Sequence, residues 1–287
     1  MKNKGTALIA IILVILAVIV IAAGAYYLGM KNAQTPTPAS NTQIQPPSSF
    51  SPSSRNAQPS PVNGTSGNTT TNSTLASLPI MFPVWASTEI ANYFNTIARP
   101  TDVAIINYMN AQMIPSITKG QKMVVFPSWI TAQTQLSTLK GQVQIIAYDP
   151  EHWGQTPSSE QTNLVATVQQ AQQQAHQYGF TFLVVPDVQF DMQYASQIAP
   201  YADLYIIQGQ NFQRLTSTYQ SSIGRIAQMV HSANAKTQIW AQVTTSLSVD
   251  QMITDYAAVQ NNINGMAFWE NQAGFPTLQQ YISAIRP

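Results

Sequence analysis

From Pro79 onward, short apolar runs recur at intervals of about 20–30 residues, with amphipathic stretches between most of them. Eight runs stand out: Ile80–Ala86, Val103–Met109, Met123–Pro127, Val143–Tyr148, Thr181–Pro186, Leu204–Gln208, Gln238–Val243 and Gly265–Trp269. Each is nearly continuous in apolar residues rather than alternating, the pattern of parallel strands covered on both faces. The clearest helix lies between the fourth and fifth runs and spans Ser158–Tyr178. Ser158 or Ser159 is its N-cap and Gly179 follows its end, while Leu164, Val168, Ala171 and Ala175 share one face against a face of glutamines. Strands alternating with helices predict the α/β class with a parallel sheet, and eight such units over residues 79–287 predict a small (β/α)8 barrel. An open doubly wound sheet is the alternative topology. The turns after the early strands carry neither G-x-G-x-x-G nor G-x-x-x-x-G-K, so such a sheet would have no phosphate cradle.

The pattern before residue 79 differs in kind. Ala7–Leu28 is uncharged and almost wholly apolar, and at about 1.5 Å per helical residue it crosses roughly 30 Å of hydrocarbon. Lys2 and Lys4 precede it, which places residues 1–6 in the cytoplasm and the rest outside. A cleaved signal peptide is the competing reading, with Ala23-Gly24-Ala25 as the cleavage site, but the run exceeds the usual apolar length of about 7–15 residues. Either way the remainder of the chain is exported. Residues 29–78 then form a linker rich in Pro, Ser, Thr, Asn and Gln, which buries too little surface to offset ordering entropy. It contains three glycosylation sequons, at Asn63, Asn68 and Asn72, a number that its composition also produces by chance.

Charge and cysteine narrow the partners. Only 8% of the 287 residues are Asp, Glu, Lys or Arg and the formal net charge is +1, so no basic field exists to attract nucleic acid. With no cysteine, disulfides, thiolate nucleophiles and cysteine-bound metals are excluded, and the core alone must stabilise the domain. His152, His176 and His231 lack metal-ligand spacing; His176 and His231 read as surface residues on helices and His152 as a rim hydrogen-bonder. No cofactor or metal is expected.

Barrel enzymes place their chemistry at the C-terminal ends of the strands, so a polar group closing an apolar strand is the informative signal. The fourth run ends in Tyr148-Asp149-Pro150-Glu151-His152-Trp153, the fifth in Pro186-Asp187, and the eighth in Phe268-Trp269-Glu270; the sixth and seventh offer Gln208, Gln210 and Gln242. Side chains alternate along a strand, so Asp149 and Glu151 should share the inner side with Ala147. Two carboxyls in one site disfavour double ionisation, which leaves a protonated acid beside a carboxylate, the pairing that glycosidic cleavage uses. Glu151 is the candidate acid, with Asp149 assisting. Glu270 is a second candidate carboxylate, although parity sets it opposite Trp269, and Asp187 is a third. Trp153 and Trp269, which flank acidic residues, read as sugar-stacking platforms, and the neutral amides of Gln208, Gln210 and Gln242 can bond hydroxyls in both directions.

Asp149-x-Glu151 at the fourth strand end, with Phe268-Trp269 at the eighth, resembles the chitinase-like family 18 glycoside hydrolases. There D-x-x-D-x-D-x-E ends strand four and a Trp floors the site. The last two acidic positions match, whereas the earlier two are Gln144 and Ala147 here. The resemblance implies that Glu151 is the proton donor, Asp149 orients a substrate N-acetyl group and Trp269 carries the sugar. The family's sixth-strand Tyr has no counterpart in Ile207-Gln208-Gly209-Gln210, which separates this chain from the substrate-assisted mechanism. Tyr148–Trp153 with the following Gln-rich helix is also similar to secreted barrel proteins for which no activity is implied.

Each signal has a plainer reading. Asp149 and Glu151 can cap loop amides at the rim, the tryptophans can be core, and the glutamines can cap helices or bridge strands. The sequence therefore supports three functions: an anchored glycosidase-like barrel acting on polysaccharide, a non-catalytic barrel that binds glycan or an envelope protein, and a structural component with a filled mouth.

Overall fold

The computed structural model describes residues 78–269 and 272–286. The predicted membrane helix at 7–28, the linker up to residue 77 and Glu270 lie outside them. Among the described residues no helix is long and apolar enough to cross a membrane.

Eight strands form, β1 (Ile80–Pro83), β2 (Val103–Asn107), β3 (Gln121–Phe126), β4 (Ile145–Tyr148), β5 (Thr181–Val184), β6 (Leu204–Ile207), β7 (Gln238–Thr244) and β8 (Gly265–Trp269). All neighbours pair in parallel and in chain order, and β1 also pairs with β8, so the sheet closes. The architecture is a (β/α)8 barrel, and the open doubly wound alternative is excluded. Closure turns the apolar runs into two layers. Met81, Ile105, Met123, Ile145, Ala147 and Leu183 are among the residues that fill the barrel, while their chain neighbours, such as Phe82, Ile106, Val124, Ile146 and Phe182, pack outward under the helices. One bulky interior residue depends on a glycine. A Cβ on Gly265 would stand 2.5 Å from the ring of Trp240, so only a bare backbone lets that indole occupy the interior.

The outer ring consists of α1 (Thr88–Ile97), α2 (Trp129–Gln133), α3 (Leu136–Leu139), α4 (Ser158–Thr162), α5 (Leu164–Gln177), α6 (Val188–Ile198), α7 (Thr216–Ala233), α8 (Val249–Val259) and α9 (Phe275–Ile285). The single helix predicted over Ser158–Tyr178 is in fact two, broken at Asn163 (φ −114°, ψ 35°), and Pro157 rather than a serine precedes it. Side chains near the break compete with the helix: Thr162 Oγ1 donates to the Ser158 carbonyl and Asn163 Nδ2 to that of Ser159. Gly179 follows α5 in the left-handed region (φ 83°), as predicted. The unit after β2 has no α-helix; a 3₁₀ segment, Tyr108–Ser116, takes its place, and Pro115 lies inside it.

Two buried acids hold the frame. Glu160 of α4 accepts from Ser128 Oγ, the Trp129 and Ile130 amides, and Tyr148 Oη, thereby capping α2 and tying it to β4. Asp102, just before β2, is fully buried against Arg286, whose two terminal nitrogens reach its oxygens at 2.7 and 2.8 Å. Arg286 also donates to the carbonyl of Leu78. Leu78, read from sequence as the last linker residue, is buried and packs with the barrel.

Candidate functional site

Strand parity delivers the side chains of the mouth. On β4 the inward series Ile145, Ala147 continues to Asp149; on β6 Leu204, Ile206 continues to Gln208; on β7 Trp240 continues to Gln242; on β8 Ala267 continues to Trp269. Past the strand ends, Asp149, Gln242 and Trp269 line a cavity of about 70 Å³ at the barrel mouth, and Gln208 contacts Asp149 at its side. Its polar lining includes Asp149, Gln242, Asn107 and Gln155, and indoles of Trp85, Trp153 and Trp269 border it. The mouth is therefore not filled. A volume of this size holds a few waters or one small substituent at depth, so a larger ligand must lie across the exposed Trp153 and Trp269.

Asp149 and Glu151 meet through one amide. Gln208 Nε2 donates to Glu151 Oε1 at 2.8 Å and makes a longer 3.5 Å contact with Asp149 Oδ1. Gln210 Nε2 in turn donates to Gln208 Oε1 at 3.3 Å, which fixes the direction in which the Gln208 amide points. Only Asp149 lines the cavity; Glu151 stands beside it, half-buried. The electrostatics follow from that depth. Desolvation pushes the Asp149 carboxyl well above the ordinary carboxylate range, and the neighbouring charges of Glu151 and Asp187 push it further. Glu151 is raised too, first by burial; the bond from Gln208 opposes this and the charge of Asp187 adds to it.

The loop carrying Glu151 is held at two points. Thr156 is buried, and its Oγ1 accepts from the Glu151 amide at 3.1 Å and from Trp153 Nε1 at 2.9 Å while donating to the Pro127 carbonyl at 2.8 Å. Asp187 is the second point. Its Oδ1 caps α6 through the Phe190 amide, and its Oδ2 lies 2.7 Å from the His152 amide and 2.6 Å from His152 Nδ1. The His152 ring stacks on Phe190 with centroids 3.8 Å apart.

The structure thus brings together Asp149, Glu151, Gln208 and Gln210 in one chain of contacts and places Trp153, Trp269 and Gln242 around the same cavity. It sets Asp187 behind the loop, engaged with His152. Glu270, the second carboxylate expected, lies outside the described residues. Asn107, Trp85, Gln155 and Thr156 belong to the mouth without having been singled out from the sequence. The parity rule applied to Val103–Asn107 would have found Asn107, whereas Thr156 acts through partners that no local pattern marks. Among the described residues, no group of three His, Asp or Glu side chains is arranged to hold a metal ion.

No protein-family model matches the chain, and no curated protein matches it. The likeness to the chitinase-like hydrolases therefore rests on Asp149, Glu151 and Phe268-Trp269 alone. Solved structures do match at low identity. RipC from Yersinia pestis is 9% identical over 74% of this chain and 97% of that one, with a TM-score of 0.48. 3-Keto-L-gulonate-6-phosphate decarboxylase from Vibrio cholerae is 9% identical over 73% and 98%, with a TM-score of 0.49. Methylaspartate ammonia lyase from Citrobacter amalonaticus is 7% identical over 74% of this chain and 58% of that one, at 0.49.

Proposed function

We propose that the chain is a glycoside-hydrolase-like barrel, tethered outside the membrane by its apolar segment Ala7–Leu28 and acting on polysaccharide. The observation that carries the catalytic part is the carboxyl pair Asp149 and Glu151, joined through Gln208 Nε2 at a cavity bordered by indoles. Tethering is supported by the apolar run and the lysines before it.

In this reading the sugar chain lies across Trp153 and Trp269, whose exposed faces suit apolar ring surfaces. Asp149 is the deeper acid, and in the empty site it holds its proton more tightly than an ordinary carboxyl. Glu151, raised by burial but nearer the opening, is the general acid: as the glycosidic C–O bond breaks, its proton passes to the departing oxygen, while a water adds to the anomeric carbon and gives a proton to solvent. Gln208 stabilises the carboxylate left behind, since its N–H bonds the charged form more strongly than the neutral one.

A second reading, glycan binding without cleavage, is favoured by one observation: Glu151 is engaged by Gln208 and does not itself line the cavity. One experiment separates the two. Full-length protein and Glu151→Gln are incubated with chitin, cellulose, xylan, mannan and peptidoglycan, and reducing ends and bound protein are both measured. The catalytic reading expects release that falls about 10²–10⁴-fold in the variant with binding retained. Binding without release by either protein establishes the second reading, and absence of binding by both sinks the glycan assignment.

A further inference from the structure

The cavity floor holds hydrogen-bonding capacity that the protein does not use. Gln242 is 7% exposed and lines the cavity, yet its Oε1 has no hydrogen-bond partner. Asp149, which lines the same cavity, receives only the long contact from Gln208 among the described residues. The rest of the wall is mostly apolar, including Ile105, Met123, Val185 and Ile206, and the indoles of Trp85, Trp153 and Trp269 ring the opening.

The charge around this opening is of one sign. Asp149, Glu151 and Asp187 are close enough to perturb one another, no Lys or Arg is among the described residues that line the cavity, and His152 is turned to Asp187. Behind Asp149, the Tyr148 hydroxyl is committed to Glu160. A group that donates hydrogen bonds can engage the Asp149 carboxyl and the unpartnered Gln242 oxygen, and a positive charge on it gains twice, at the carboxylate and at the indole faces. An anionic group meets carboxyls there and no Lys or Arg among the described residues that line the cavity.

We propose that this cavity takes a protonated amine, and that the polysaccharide recognised at the mouth carries free amino groups. The second half rests on the glycan reading above; the first does not. In the empty site a proton on Asp149 relieves the crowding of acids. An ammonium group supplies the same positive charge with two further donors, so it competes with that proton and expels it on binding.

The test uses the full chain in detergent and β-1,4-linked trimers of glucosamine, N-acetylglucosamine and glucose, which share linkage and differ at one substituent. Titration calorimetry at neutral pH, in two buffers of different ionisation enthalpy, reads affinity and proton release together. The glucosamine trimer should bind at least about 10-fold more tightly than the other two and release protons. Asp149→Asn should abolish both the preference and the release, and Gln242→Leu should reduce the preference, each with a cooperative melting transition no lower than about 5 °C below wild type as the check on folding. Equal affinity for all three trimers, or tightest binding of the acetylated one, overturns the amine proposal and leaves the glycan reading standing. If no trimer binds, benzylammonium is compared with benzyl alcohol: selective binding of the ammonium sinks the glycan reading but keeps the amine site, and no selectivity overturns the amine site as well.

Discussion

Replacing Arg286 with methionine keeps most of the side chain's apolar stem and removes its charge from Asp102. The Asp102 carboxylate is 0% exposed, and in the variant it retains only the amide bonds from Ile80 (3.1 Å) and Arg99 (2.8 Å). Removing one partner of a buried ion pair costs about 3–5 kcal/mol, chiefly because the other charge stays behind uncompensated. The two remaining amide donors argue for the lower end, about 3 kcal/mol. For a domain of about 200 residues, 1 kcal/mol corresponds to ~2–4 °C, so Tm should fall by about 6–12 °C. Thermal unfolding of the full-length protein, followed by circular dichroism at pH 7, measures this. The double variant D102N with R286M supplies the internal control. Asparagine keeps an acceptor for only one of the two amides, which bond different oxygens of Asp102, but it carries no charge; removing the buried charge outweighs the lost bond, so the double variant should melt above the single R286M. A fall of less than about 2 °C for R286M, or a double variant no more stable than the single, would show that the ion pair does not fasten α9 to the start of the barrel.

The remaining predictions concern the mouth. Asp149 binds its proton more tightly folded than unfolded, where its ordinary value is 3.8. Its contribution to stability is therefore present at low pH and is lost as pH rises above about 4 toward the folded value. Asp149→Asn removes that loss, so the Tm difference between variant and wild type should grow in the variant's favour from pH 4 to pH 8; a constant or shrinking difference contradicts the assignment. Thr156→Val is nearly isosteric but orphans the Glu151 amide, Trp153 Nε1 and the Pro127 carbonyl, and should cost about 1–3 kcal/mol in urea unfolding. Thr156→Ser should recover most of it, and equal losses in both would point to packing instead. Trp269 is 52% exposed, so Trp269→Ala should change stability by no more than about 0.5 kcal/mol while weakening glycan binding several-fold in a pull-down on insoluble polysaccharide. Unchanged binding removes Trp269 as a platform.

Much of this was written locally. Continuous apolar runs such as Ile145–Tyr148 and Leu204–Ile207 announce strands covered on both faces, and eight of them with helices between leave a closed parallel barrel as the economical solution. The period of two along each strand then carries Asp149, Gln208, Gln242 and Trp269 to the inside, because alternation is a property of the backbone and needs no knowledge of neighbours. Local competition, by contrast, was easy to misjudge. Thr162 and Asn163 break the helix expected over Ser158–Tyr178, because their side chains offer the backbone other partners at small cost.

Only the tertiary structure decided which acids reach the cavity and which hold the frame. Asp102 is bound to Arg286, 184 positions away, and Glu160 to the Ser128 segment some 30 positions back; nothing adjacent in the sequence marks either as buried. The same holds at the mouth. Sequence placed Asp149 and Glu151 on one side of the chain, but the cavity reaches only Asp149, Gln208 from β6 links the pair, and Asp187 is engaged by His152. Proton affinity depends on desolvation and on charges brought from other strands, and both exist only once the barrel has closed. Strand number and facing are set by backbone geometry within a few residues, whereas the character of each acid is set by what folding places around it.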